Sequence, residues 1–261
     1  MTSPASDRPF FVNSTSYEVF MGRYSDPLAH EFAREAGVSP GERVLDVGCG
    51  TGALTTVLAG IVGAERVSGV DPSEPFVEAC RARVPGADIR LGPAEALPFE
   101  DASLDRTLSQ LVFHFVADPA ASAAEMVRVT RPGGLVAACV WDMTGGMKMI
   151  RAYWDAARKV DSSAPDEVER FGARAGQLAA LWRDTGLRDV TDTSLTVSTQ
   201  YRDFDELWGS FQGAVGPVGV HAASLDGELR DAVRDEYWHN VGSPEGPFSL
   251  TGTAWYTSGV V

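Results

Sequence analysis

Positive charge is scarce in this chain: 22 lysines and arginines stand against 36 aspartates and glutamates, a formal net charge of −14. Nucleic-acid binding draws most of its affinity from clustered basic side chains, so the balance argues against DNA or RNA as a partner. Cysteine is scarcer still. Its three residues, Cys49, Cys80 and Cys139, fall far apart in segments that read as a turn, a helix and a strand. That distribution argues against a disulfide framework and for a reducing compartment. The four histidines and three cysteines show neither C-x-x-C nor H-x-x-x-H spacing, so no metal site is expected. No apolar run approaches the roughly 20 residues that cross a bilayer, and the opening MTSPASDRPFFVN lacks a basic start followed by an apolar stretch. The expectation is a cytoplasmic protein without nucleic-acid or membrane partners, its oligomeric state left open.

What is present suits a packed domain: 44% hydrophobic and 22% charged residues over a length of 261, enough to bury a core without staples. Residues 1 to 16 are rich in Ser, Thr and Pro and carry no periodicity. Asp26 then offers an N-cap, Pro27 a first helical position, and Leu28, Phe32 and Ala36 one apolar face before Gly37, which predicts a helix. From residue 42 strands and helices alternate. RVLDVG, ALTTVLAGIV, RVSGVD, PFVEACRARV and ADIRLG read as βαβαβ. LDRTLSQLVFH continues as a strand, PAASAAEMVRVT as a helix closed by Arg131-Pro132-Gly133-Gly134, and LVAACVWD as a further strand. Short apolar strands divided by helices predict a mostly parallel sheet covered on both faces. Beyond Asp142 helices are expected near 146 to 160 and 174 to 185, and a strand in LRDVTDTSLTVSTQYR. FDELWGSFQGAV and LDGELRDAVRDEYWHNV read as helices, and FSLTGTAWYTSGV as a last strand.

The sharpest signal is Asp46-Val47-Gly48-Cys49-Gly50-Thr51-Gly52, set where a strand ends and a helix begins. Glycines there let backbone approach a ligand, and the helix N-terminus offers free N–H groups. Gly48, Gly50 and Ala53 also satisfy the looser dinucleotide fingerprint, so the glycines alone do not choose between cofactors. Asp46 shifts the balance: a carboxylate before the turn repels a pyrophosphate but suits S-adenosylmethionine (SAM), which carries an ammonium and a sulfonium. Asp71 closes the second strand in VSGVD, where a carboxylate can accept both hydrogen bonds of a ribose diol, while Ser73 is the better helix cap.

DVGCGTG, the acid in GVDPS, GPAEALPFEDASLD, SQLVFHFVADP and RVTRPGG together resemble the successive motifs of class I SAM-dependent methyltransferases over roughly residues 17 to 142. Within that superfamily the chain resembles the ubiquinone/menaquinone-type and natural-product small-molecule group. The resemblance implies an α/β fold, a Rossmann-like, doubly wound sheet of seven strands, mostly parallel, with a small helical lid. Residues 1–24 would be an N-terminal cover, 25–202 with 244–261 the core, and 203–243 the lid. It places Asp46, Gly48, Gly50 and Gly52 around the methionine moiety, Asp71 at the ribose with Pro72 beside it in the cofactor site, Ala94 and Glu95 beside the adenine, and Gln110 and Leu111 near the methionine end. Where the family often has Asp before the Ala-Glu pair, Pro93 stands here, without a backbone N–H to offer. In the cover, Arg23 is a candidate partner of the cofactor carboxylate and Tyr17 a candidate closing residue, against a surface Arg and a packing Tyr.

SAM arrives activated, so a transferase need only align the nucleophile and exclude water, giving S-adenosylhomocysteine (SAH). A base helps where the acceptor holds a proton tightly, and His114, following the fourth strand, is the candidate, against a histidine that simply packs beneath the cofactor. Ser109-Gln110-Leu111-Val112 stands where enzymes that methylate nucleobase or amide nitrogens carry Asn/Asp-Pro-Pro-aromatic, pointing to a small-molecule acceptor. Trp208, Phe211, Tyr237 and Trp238 are expected near the acceptor or packed into the core, and Gly213, Gly216, Pro217 and Gly219 as a flexible connector. Two other readings stay open: a SAM-binding protein that transfers nothing, and, more remotely, a nicotinamide oxidoreductase resting on Gly48, Gly50 and Asp71.

Overall fold

Along Val136 to Trp141 successive side chains enter opposite cores: Val136, Ala138 and Val140 pack on one side, Ala137, Cys139 and Trp141 on the other. A strand buried on both faces has this alternation without any polar residue, which is why its sequence reads as a continuous apolar run. The computed structural model describes residues 14–261; residues 1–13 of the expected cover lie outside the described residues. The strands are β1 (Val44–Val47), β2 (Val67–Asp71), β3 (Asp88–Leu91), β4 (Leu104–Gln110), β5 (Thr130–Trp141), β6 (Arg188–Tyr201) and β7 (Phe248–Val260). Among the described residues they form one sheet in the order β3-β2-β1-β4-β5-β7-β6. β7 runs antiparallel to both β5 and β6, and the remaining pairs are parallel.

The helices are α1 (Ser14–Tyr17), α2 (Arg23–Glu35), α3 (Ala53–Val62), α4 (Glu74–Arg83), α5 (Pro119–Val129), α6 (Lys148–Val160) and α7 (Gln177–Asp184). Between β6 and β7 come α8 (Phe204–Gly209), α9 (Gly216–Ser224) and α10 (Gly227–Asn240). Apolar residues of α2, α3 and α6 fill one core, and those of α5 and α7 the other. The order of strands reverses between β1 and β4, which opens a crevice at their carboxyl ends, the place where ligands of doubly wound sheets bind.

Several boundaries depart from the sequence reading. Asp26 is not an N-cap: a π turn, Glu18–Gly22, leads directly into α2, and Pro27 falls inside that helix. β4 stops at Gln110 because Leu111 takes φ 64°, which no extended strand tolerates. Arg131 to Gly134 do not merely close α5. They begin β5, across an irregularity in its pairing with β4, and Gly134 lies so near Asp105 O that a Cβ would stand 2.7 Å from it. The glycine-rich stretch after 213 is a helix, not a connector. A Cβ at Gly219 would meet Ala214 backbone at 3.0 Å and one at Gly213 would meet Ser16 Cβ at 2.8 Å, so both serve close packing.

Candidate cofactor site

The turn after β1 hooks onto the neighbouring strand: the N–H groups of Gly48 and Cys49 both donate to Val70 O, at 2.7 and 3.0 Å. Gly48 has φ 74°, and a Cβ there would lie 2.3 Å from Val112 Cγ2, so only glycine fits between β1 and the segment after β4. From β2, Asp71 braces the same turn. Its Oδ2 accepts the Gly50 N–H at 3.0 Å and its Oδ1 the Ser73 N–H at 2.9 Å. Burial raises the Asp71 carboxyl above its ordinary range, while these two N–H groups pull it down. Ser73 occupies the N-cap position of α4 without a side-chain capping bond.

These elements line a cleft that opens to solvent. Tyr17, Gly48, Gly50, Asp71, Pro72, Ala94, Glu95, Gln110 and Leu111 line it. Phe76 of α4, Val112, Phe115 and Val116 complete its apolar wall. The Tyr17 and Phe76 rings lie 5.8 Å apart, and burial beside Asp71 pushes the Tyr17 phenol up. Glu95 Oε1 accepts the N–H groups of Ala117 and Asp118, at 2.9 and 3.3 Å, which fixes the loop that carries Phe115 and Val116.

The cleft continues to a small recess bounded by Tyr17, Ser25, Asp46, Cys49, Thr51, Leu54, Gln110 and Leu111 among others. Asp46 is almost fully buried there, and burial pushes its carboxyl up to about 7 against the pull of the Thr55 hydroxyl, which donates to Oδ2 at 2.7 Å. The other oxygen, Oδ1, has no hydrogen-bond partner, and neither has Gln110 Oε1, although Gln110 Nε2 donates to Ser25 O at 3.0 Å. Buried acceptors left unpaired cost free energy unless a ligand satisfies them. Two of them at the inner end and aromatic walls farther out fit a ligand with a cationic end and a flat apolar end. SAM has this form: Asp46 and Gln110 would hold its ammonium end, and Asp71 its ribose.

Three expected site residues lie elsewhere. Arg23 does not reach the cleft: its Nη2 donates to Glu206 Oε1 at 3.1 Å and its guanidinium sits 4.5 Å from the Tyr201 ring centroid, so it ties α2 to β6 and α8. Gly52 backs onto α4, where a Cβ would stand 3.1 Å from Cys80 Sγ. His114 is clamped between two carbonyls, Nδ1 at 2.8 Å from Phe171 O and Nε2 at 3.2 Å from Trp141 O. Burial pushes it down to about 4, so it is neutral at physiological pH, and it does not line the cleft. The aromatics expected at the acceptor are packing residues. Trp208, Phe211 and Tyr237 gather around Tyr153 of α6, and Trp238 packs against the same core. The residues that sequence reasoning missed are Phe76, which carries no motif, and Phe115, which stands inside SQLVFHFVADP beside the residues named there; their place on the rim of the crevice marks them.

Among the described residues no helix is long and apolar enough to cross a membrane, and no cluster of His, Cys, Asp or Glu is arranged to hold a metal. A family model described as a methyltransferase domain matches residues 45–138. The O-methyltransferase cnsE of Penicillium expansum is 31% identical over 235 residues, covering 82% of this chain and 81% of that protein. A protein of transposon TN4556 from Streptomyces fradiae is 34% identical over 170 residues, 63% of this chain, and the match spans 48% of that relative's length. Phosphoethanolamine N-methyltransferase 2 of Haemonchus contortus, solved with S-adenosyl-L-methionine, shares the fold with a TM-score of 0.61 at 17% identity, over 97% of this chain and 58% of that one.

Proposed function

Because the chain belongs to the class I SAM-dependent methyltransferases, we propose that it methylates an acidic hydroxyl, a phenol or enol, on a small molecule. The observation that carries this reading is the match to an O-methyltransferase, 31% identical over 82% of this chain. Among the described residues the lining of the cleft and of its recess includes no Lys, Arg or His. A site without cationic side chains gives no purchase to a phosphate or a permanently anionic tail.

The same lining offers no free base. Asp71 and Glu95 each accept two backbone N–H groups, and Asp46 lies in the inner recess beneath the cofactor end. An acceptor oxygen that ionises at or near neutral pH needs no such base. When bound, SAM supplies an electrophilic methyl group and a sulfonium charge that favours the ionised oxygen. The protein's part is to hold the reactants in line and to exclude water through Tyr17, Leu111 and Phe115.

The test is an acceptor panel containing phenols and enols of graded acidity, amines and carboxylates, assayed for SAH formation and for the position of the new methyl by mass spectrometry. Methyl ethers, formed faster from the more acidic hydroxyls, are the expected result. N-methyl or ester products would overturn it, and SAM binding without turnover across the panel would favour the non-transferring reading.

A further inference from the structure

Adjacent threonines of α3 behave differently. Thr56 turns its hydroxyl back to Gly52 O at 2.6 Å, the usual way for a helical threonine to spend it. Thr55, fully buried, turns instead toward β1 and donates to Asp46 Oδ2 at 2.7 Å. Behind it Cys80 of α4 donates to Thr55 Oγ1 at 3.5 Å. A hydroxyl that accepts from a thiol has its own proton free for the carboxylate, so Cys80, Thr55 and Asp46 form a directed chain from α4 to the recess. Its end is the second observation: Asp46 Oδ1, buried, unpartnered and bordering the recess together with the unpartnered Gln110 Oε1.

We propose that Thr55 is a positioning residue of the cofactor site, holding the Asp46 carboxylate by one oxygen so that the other stays open to the cationic end of SAM. Packing alone does not require this arrangement, since a valine has the same β-branched shape without a donor. The hydroxyl also sets when Asp46 is charged. Burial opposes ionisation at Asp46, and the Thr55 hydroxyl and N–H favour it. The other titratable groups around Asp46 are Asp71 on β2, which opposes its charge, Cys49 in the turn, Cys80 on α4 and Cys139 on β5. Among the described residues bordering the recess there is no Lys, Arg or His to replace the threonine in this role.

The inference rests on the cofactor and not on the acceptor proposed above, so its test contains no acceptor. SAM is titrated calorimetrically into wild type, Thr55→Val and Thr55→Ser between pH 5.5 and 8.5, with thermal unfolding of each recorded. In wild type the affinity climbs up to tenfold per pH unit below a midpoint near 7, because a neutral Asp46 must lose its proton to pair with SAM, and falls again above about 8, where the ammonium of free SAM loses its own. Thr55→Val is expected to weaken binding about tenfold at pH 7 and to move the midpoint up by about one unit. Thr55→Ser is expected to restore the wild-type profile. A merely structural threonine would lower the melting temperature of the valine variant and leave the midpoint in place, and that result overturns the proposal. So does SAM affinity that is independent of pH in wild type. Acceptor turnover failing while this profile holds would count against the acceptor reading alone.

Discussion

Asp71 and Gly50 join the ends of two strands: the carboxylate at the end of β2 accepts the N–H in the middle of the glycine turn after β1, at 3.0 Å. The sequence suggests a ribose ligand at Asp71, and the structure adds a second duty, because the same side chain also accepts the Ser73 N–H that opens α4. Asp71→Asn keeps the shape but turns an amide group toward one of two donors. SAM affinity is expected to fall by about 2 kcal/mol, roughly thirtyfold, for the lost charged hydrogen bonds. Calorimetry against SAM and SAH reads this loss, and an unchanged Kd would remove Asp71 from the site.

Gly48 is the position where substitution should do most damage. Its φ of 74° strains any other residue, and a methyl group would be driven into Val112. Gly48→Ala is expected to cost about 2 kcal/mol of stability or more, from backbone strain and overpacking together. Pairing it with Val112→Ala should recover the overpacking and leave the strain. Chemical denaturation of the single and double variants separates the two contributions.

β1 and β2 were legible because they are short apolar runs closed by Gly48 and Asp71, and the cleft because the resemblance of DVGCGTG and GVDPS to family motifs directs Asp46, Gly48, Gly50 and Asp71 to it. Other features depend on tertiary neighbours. Nothing local distinguishes Arg23 beside Glu206 from an arginine beside a ligand, since that ion pair spans 183 positions of sequence. His114 falls one turn past β4, near the site in sequence, but Leu111 with its positive φ swings the chain so that the ring points to Phe171 and Trp141. Phe76 and Phe115 read as ordinary core residues until α4 and the loop after β4 are placed against the turn.

His114 should therefore behave as a stabilising residue and not as a base. Its folded-state pKa is depressed to about 4 from 6.5, so its contribution is complete above pH 6.5 and is lost as pH falls through 4, when the unfolded chain takes up a proton first. The difference amounts to roughly 3 kcal/mol at neutral pH as an upper figure. His114→Gln is expected to flatten the rise in stability between pH 4 and 6.5 while leaving the pH profile of methyl transfer in place. A lost alkaline or acid limb in that profile would restore the catalytic role.

Arg23→Ala tests the other displaced residue. Its ion pair with Glu206 is about a fifth exposed on each side, so it contributes ~1 kcal/mol or less, together with its contact on Tyr201. SAM affinity is expected to stay within about threefold of wild type, the size of an effect below 1 kcal/mol. A loss of a hundredfold in calorimetric affinity would show that Arg23 turns from Glu206 to the cofactor carboxylate on binding.

Asp46 reverses the usual relation between acid and stability. Most perturbed surface carboxylates here, such as Asp105, Glu125 and Asp166, are held below their ordinary range by arginines or backbone N–H groups and stabilise the fold above it. Asp46 is pushed up to about 7 by burial, so the folded protein keeps a proton that the unfolded chain has already released above pH 3.8. Stability in the absence of cofactor must then fall as pH rises from about 4 to 7, by at most roughly 4 kcal/mol, and stay level beyond. Asp46→Asn removes that slope. At pH 8 without cofactor the variant is expected to melt above wild type, although it no longer offers SAM a charge. With SAM present the order should invert, because the cofactor stabilises only the protein that binds it. Melting curves of both proteins at pH 5 and pH 8, with and without SAM, supply the comparison. If the variant is the less stable in the cofactor-free protein at pH 8, the unpaired oxygen is not the cost that its burial implies.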